Sequence, residues 1–194
     1  MSENIIENKL NEKEQYSINF VEKFDDLLIE EIHKFRAECF PENMQMEPED
    51  LKETLQIENG IHILMRDPSG KLVGGLFALN LADEYEELKE YDKDLQYEDS
   101  SLYVESASIL SENRNAGLYR KSHDMLFQKA YEKGFKKVCM HARISNNVSD
   151  RLQSMYGAEF KRKIKNWFDF GEDFDYLEIN LDPEKNKKLY FLKK

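Results

Sequence analysis

The stretch that most constrains this chain runs from Leu102 to Gly134, where the apolar pattern changes its period. Leu102 to Leu110 reads as a strand of small and apolar residues interrupted by Glu105. Leu118, Ser122, Met125, Leu126 and Ala130 then recur at helical spacing over 117–133, and Gly134 ends that helix. Between the two lies the turn Arg114-Asn115-Ala116-Gly117-Leu118-Tyr119. A helix start offers unpaired backbone N–H groups and the positive end of the helix dipole, which together suit an anion. Gly117 removes a side chain where phosphate oxygens would approach the backbone, and Arg114 can add a charge-assisted contact. The same hexamer also reads as an ordinary helix start in which Gly117 serves only the loop.

The elements around this unit follow from similar signals. Tyr16 to Val21 alternates as a first strand. Asp25 and Asp26 can cap a helix with the stripe Leu28, Ile32, Phe35 and Cys39, and Pro41 follows its end. Pro48 opens a second helix carrying Leu51 and Leu55, which Asn59-Gly60 stops. Ile61 to Met65 and Leu72 to Leu79 form a hairpin across Asp67-Pro68-Ser69-Gly70, a type I turn sequence. After Gly134 come a strand over 136–141, a helix from Asn147 to Tyr156, and strands over 160–168 and 176–181. The resulting order, β-α-α-β-β-β-α-β-α-β-β, is that of an α+β or mixed-sheet domain and not an alternating doubly wound one. Residues 1–14 are polar and aperiodic and are expected to be a mobile arm; 15–182 would be the domain and 183–194 a C-terminal tail whose Leu189 to Leu192 can dock.

Charge narrows the partners. The formal net charge is -11, which opposes non-specific nucleic-acid binding because that depends on a basic surface. Most of the excess lies between Asp83 and Asp99, where nine acidic residues face two lysines. That stretch reads either as a solvated surface excursion with at most a short helix, or as an acidic rim that draws in a cationic amine. Lys161-Arg162-Lys163-Ile164-Lys165 reads as an exposed strand or as a strip for an anionic group, with Trp167, Phe168 and Phe170 filling core or lining a pocket. Cys39 and Cys139 lie far apart without metal-ligand spacing, and no metal is expected. The N-terminus carries no basic and apolar leader pattern, and no apolar run reaches the roughly 18 residues of a membrane span. A cytoplasmic protein with no membrane association is the expectation.

The element order and the stretch from Tyr103 to Tyr119 resemble the GNAT acyltransferase superfamily, in which a strand leads through Arg/Gln-x-x-Gly-x-Gly/Ala into a helix. Asn146-Asn147-Val148-Ser149-Asp150-Arg151-Leu152-Gln153 through Phe160 is similar to that family's Asn-x-x-Ala-x-x-Leu-Tyr-x-x-x-Gly-Phe segment. The resemblance implies a mixed, mostly antiparallel central sheet flanked by helices. It also implies transfer of an acetyl or other acyl group from acyl-CoA, with acetyl-CoA as co-substrate, to an amine-bearing acceptor. The pyrophosphate would lie on Arg114, Asn115, Ala116, Gly117, Leu118 and Tyr119, and Asn146 and Ser149 would line the groove. The oxyanion donor would be the backbone N–H of Ile109 or Leu110, and the base would be Glu105.

Two positions depart from the family pattern. Tyr119 stands where a small residue is usual, so its ring either narrows the phosphate cradle or offers a hydroxyl to it. Gln153 stands where the family's acid tyrosine is usual, and an amide cannot act as a general acid. Tyr156, three residues on, lies on roughly the same helix face and can substitute or simply pack. Glu105 is either a base with a pKa raised by burial or a strand carboxylate that points to solvent or pairs with a lysine. His141 is a second candidate base or a satisfied core histidine, and His33, His62 and His123 carry no motif. Three readings remain open: an amine N-acetyltransferase, an enzyme similar to N-acyl amino acid synthases using a longer acyl thioester, and a non-catalytic CoA- or protein-binding module. A homodimer is compatible with any of them.

Overall fold

The structure, a computed structural model, describes residues 15–193; the expected arm at 1–14 lies outside them. Seven strands form one sheet in the order β1-β2-β3-β4-β5-β7-β6. They are β1 (Ser17–Val21), β2 (Ile61–Arg66), β3 (Leu72–Asn80), β4 (Ser101–Ile109), β5 (Lys137–Arg143), β6 (Glu159–Ile164) and β7 (Phe174–Asn180). Every neighbouring pair is antiparallel except β4 and β5, which run parallel. A parallel pair needs a crossover, and here the helix following the Arg114–Gly117 turn provides it.

Five helices cover the sheet: α1 (Asp26–Cys39), α2 (Pro48–Gln56), α3 (Leu81–Tyr91), α4 (Leu118–Glu132) and α5 (Val148–Tyr156). The Asp25 carboxylate accepts from the Leu28 N–H at 2.8 Å, which starts α1 where the cap was expected. Leu126, Phe127 and Ala130 of α4 and Leu152 and Tyr156 of α5 share one core with Val104, Val138 and Met140 on one sheet face. Ile29, Ile32 and Phe35 of α1 pack with Leu51 and Leu55 of α2 over Leu64 and Phe77 on the other.

Three expectations change. The acidic stretch contains a full helix, α3, between β3 and β4, so the order is β-α-α-β-β-α-β-α-β-α-β-β. Asn80 caps it by accepting from the Ala82 N–H, and Leu81 and Leu88 bury against Leu95, Tyr103, Trp167 and Tyr176. A stripe of only two leucines among acids hid it. Second, β6 stops at Ile164, because Asn166, Phe168 and Asp169 take positive φ values of 48°, 50° and 58° and turn the chain. Third, the boundary at residue 182 moves because the docking expected of the tail occurs: Leu189 and Leu192 are buried in the α4/α5 core. Among the described residues no helix is long and apolar enough to cross a membrane.

Candidate active site

The centre of the sheet opens. β4 and β5 are paired only from Ser101↔Lys137 to Val104↔Met140. Beyond that level β4 continues along β3 to Gly74↔Ile109, while β5 continues along β7 to Arg143↔Phe174, so the two strands diverge. The divergence begins at a bulge. Phe77 pairs with Ser106 and Ala78 with Val104, leaving Glu105 as the extra residue. Above it, Ser106, Ala107, Ser108 and Ile109 are no longer buried, in contrast to Ser101–Val104.

Backbone alternation decides which groups face the gap. The Leu110 N–H donates to the Val73 carbonyl at 2.9 Å, toward β3. Successive strand residues point their N–H groups to opposite sides, so Ile109 and Ala107 present theirs to the gap. Of the two expected oxyanion donors, Ile109 is therefore available and Leu110 is not.

The turn into α4 stands at the mouth of this gap. Asn115 and Gly117 adopt left-handed φ values of 73° and 75°, a nest-like backbone that gathers N–H groups. No side chain caps the helix, and its first internal bond runs from the Lys121 N–H to the Gly117 carbonyl at 3.2 Å. The N–H groups of Leu118, Tyr119 and Arg120 therefore precede the helical ladder. The first turn holds no acidic residue but does hold Arg120 and Lys121, the reverse of what a helix dipole favours in the absence of an anion. Arg114 lies beside them, its Nε donating to the Ile109 carbonyl at 3.4 Å. A Cβ built on Gly117 would meet nothing within 4 Å, so there is open space over the turn. Free donors, cations and open space fit a pyrophosphate.

Between α4 and α5 the remaining expectations sort themselves. The Tyr119 ring stacks on His123 at 4.1 Å and carries the Arg151 guanidinium at 5.1 Å, and its hydroxyl is buried without a partner. Gln153 donates to the Ser149 hydroxyl at 3.1 Å, while Asn146 is exposed at the start of α5. Tyr156 faces α4 and the core: its hydroxyl donates to Asp124 at 2.9 Å and lies 3.1 Å from the Arg120 carbonyl. Burial and the Asp124 carboxylate drive its pKa far upward. This geometry ties α5 to α4 and does not supply an acid to the gap, contrary to the expected role of Tyr156.

On the opposite sheet face, Glu105 is not a free carboxylate either. Arg36, 4% exposed on α1, donates Nη1 to Oε2 at 2.9 Å and Nη2 to Oε1 at 2.8 Å. Ser106 Oγ accepts from Arg36 and donates to Glu105 at 2.6 Å. Burial works against the Glu105 anion, but Arg36 and Ser106 outweigh it and hold the pKa below the usual range. The expected base is thus an ion-pair partner.

Glu84 of α3 shares the stripe of Leu81 and Leu88 and has no hydrogen-bond or ion-pair partner among the described residues. Burial, with Glu87, Glu105 and Asp83 nearby, pushes its pKa to about 7. His141 proves a satisfied core histidine: Nδ1 lies 3.1 Å from the Tyr103 hydroxyl, Nε2 lies 3.1 Å from Asp92, and its ring stacks on Trp167 at 3.7 Å. Asp92, the C-cap of α3, also pairs with Arg162. The basic run of β6 thereby anchors α3. In the α1–α2 connection, Asn43 donates to the Phe170 carbonyl and Met44 accepts from Arg143, tying it to the segments around β5 and β7.

Comparison with solved structures identifies this architecture. The loading GNATL domain of CurA from Lyngbya majuscula superposes with a TM-score of 0.67 at 13% identity, covering 86% of this chain and 98% of that one. The ribosomal-protein-S18-alanine N-acetyltransferase from Escherichia coli gives 0.64 at 12% identity, covering 86% and 94%. Arabidopsis thaliana NAA60, solved in complex with acetyl-CoA, gives 0.64 at 16% identity, covering 84% and 98%. This chain has the GNAT fold. No protein-family model matches the sequence, and no curated protein matches it either.

Within the GNAT fold, Arg36 and Glu84 are the residues that sequence reasoning missed. Each left a signal. Arg36 follows Phe35 on the buried stripe of α1, four residues after Ile32. Glu84 falls three residues after Leu81 and four before Leu88, a carboxylate on an otherwise apolar stripe.

Proposed function

We propose that this chain is an N-acyltransferase that moves an acetyl or other acyl group from acyl-CoA to an amine-bearing acceptor by direct attack on the thioester. The observation that carries this reading is an uncapped, basic helix start placed at the mouth of the diverging β4–β5 pair. The free N–H groups of the turn, with Arg114, Arg120 and Lys121, would hold the pyrophosphate. The thioester arm would enter the gap past Asn146 and Ser149, where the Ile109 N–H would donate to the acyl oxygen as negative charge develops on it. The amine would come from the other face, past α1 and α3. There Asp83, Glu84 and Glu87 make a negative rim, which favours a cationic acceptor.

Calorimetric titration with acetyl-CoA, a long-chain acyl-CoA and free CoA, followed by thiol-release assays over a panel of amines, tests this reading. Acetyl-CoA binding with amine-dependent thiol release is the expected result. Tighter binding of the long-chain thioester would reassign the donor. Absence of binding by all three would overturn the reading. Binding without thiol release from any amine would leave a CoA-binding module, a result to which Gln153 in place of an acid tyrosine would then correspond.

A further inference from the structure

We infer that the cavity between the β1–α1 and α2–β2 connections is a second small-molecule site, in which buried His62 receives the zwitterion of an α-amino acid with an apolar side chain. The inference does not depend on the acyltransferase reading. The cavity measures about 290 Å³, near the lower end, about 300 Å³, of ligand pockets in general. Val21, Phe24 and Leu55 supply apolar wall, and Glu22, Glu58 and Lys133 stand exposed at the rim. His62 of β2, 2% exposed, is the buried polar residue of the lining.

Neither Nδ1 nor Nε2 of His62 has a hydrogen-bond partner, although both are shut off from bulk solvent. Buried polar atoms are nearly always paired, so two open positions on one ring call for something that binds there. The ring itself is held, with Phe24 packed edge-on at 5.3 Å and Phe77 at 5.9 Å. Gly60 keeps one nitrogen uncovered. A Cβ built on it would come within 2.5 Å of Nε2. Gly60 is not among the glycines with positive φ, so the backbone does not require glycine there; the space beside the imidazole does.

The charges at the rim have both signs and are unmatched. The Glu22 and Glu58 side chains make no hydrogen bond or ion pair among the described residues. Lys133 makes no ion pair among them either, and its Nζ lies 5.6 Å from the Phe20 ring. Helix α2 ends on the cavity without a basic residue in its last turn, which leaves the negative end of its dipole open. A ligand of one charge would satisfy only one sign. A zwitterion satisfies both, with its ammonium toward the carboxylates and the α2 end and its carboxylate toward Lys133. Burial lowers the His62 pKa to about 4, so the neutral ring offers one donor and one acceptor to the same two groups. Phe24, Leu55 and Val21 suit an aliphatic side chain and no third charge. The site lies beside the β4–β5 gap and not in it: His62 pairs with Phe77 and Phe77 with Ser106, so two strand spacings, about 10 Å, separate His62 from β4.

Calorimetric titration of the full chain tests the site with three probes of one carbon skeleton. They are L-leucine, 3-methylbutylamine, which lacks the carboxylate, and 4-methylpentanoate, which lacks the ammonium. One leucine per chain is expected, with each single-charge probe at least about tenfold weaker, because each has lost a charge-assisted contact. His62→Phe keeps the ring contacts and removes both nitrogens. It should weaken leucine at least about tenfold while the melting temperature is kept or raised. Gly60→Ala, which covers Nε2, should weaken leucine as well. Three results would each overturn the inference: no leucine binding by the wild type, a single-charge probe binding within about tenfold of leucine, or leucine affinity preserved in His62→Phe. The last would move leucine to the acceptor path. Acyl-CoA titrations are read separately, so failure here leaves the acyltransferase reading standing.

Discussion

Arg36 of α1 and Glu105 of β4, 69 residues apart in sequence, form a bidentate ion pair of 2.8 and 2.9 Å at the bulge where the central strands separate. The guanidinium is further enclosed by the rings of Phe40 and Phe77 at 5.3 and 5.7 Å. Removing one partner leaves the other charge buried. Glu105→Gln should therefore cost about 3–5 kcal/mol in denaturant-unfolding experiments, because a buried unpaired charge is expensive. Loss of turnover without loss of stability would contradict the pairing role.

Gly117→Ala probes the turn through its backbone and not its volume. The φ of 75° strains any residue with a Cβ, although that Cβ would meet open space. A stability loss of about 1 kcal/mol is expected. Calorimetry should show weaker acetyl-CoA binding, since relaxing the turn redirects the N–H groups of Gly117 and Leu118. Unchanged affinity would detach the turn from thioester binding.

Tyr156→Phe separates packing from catalysis. The variant keeps the ring against Phe127, 4.8 Å away, and loses the bond to Asp124. Melting experiments should register a loss of about 1–2 kcal/mol. Turnover per folded molecule should stay within about twofold of wild type, and a drop of a hundredfold would restore Tyr156 as an acid.

Acid should destabilise the fold between about pH 6.5 and 4, the window set by two buried neutral histidines. Burial lowers the pKa of His62 to about 4, and burial likewise lowers His123 to about 4 against the opposing Tyr119 carbonyl bond of 2.8 Å. Both stay neutral in the folded chain while the unfolded chain binds protons. Their stability contribution is complete above about pH 6.5 and is lost as pH falls toward 4. Each is worth on the order of 3 kcal/mol. His123→Gln should flatten this limb in pH-resolved unfolding, and an unaltered limb would refute the assignment.

Much of the architecture was legible because local signals repeat along the chain. The Asp25 cap, the Pro48 start, the Asp67–Gly70 turn and the strand-to-helix transition at Gly117 each depend on residues within one turn of each other. Helix α3 was legible only as a short helix, because two of the residues that bury its face, Trp167 and Tyr176, lie about 80 residues away. Glu105 was readable as an ionisable residue in an apolar strand, yet its charge state depends on Arg36, which arrives from a helix 69 residues away.

What the sequence determined by itself is the set of elements and the anion-seeking turn, since caps, glycines and apolar period act over a few residues. What only the tertiary structure decided is which carboxylate is free. A pKa is set by burial and by charges brought across space. Arg36 arriving from α1 neutralises the bulged Glu105, while Glu84 on α3 has no hydrogen-bond or ion-pair partner among the described residues and is pushed upward by burial.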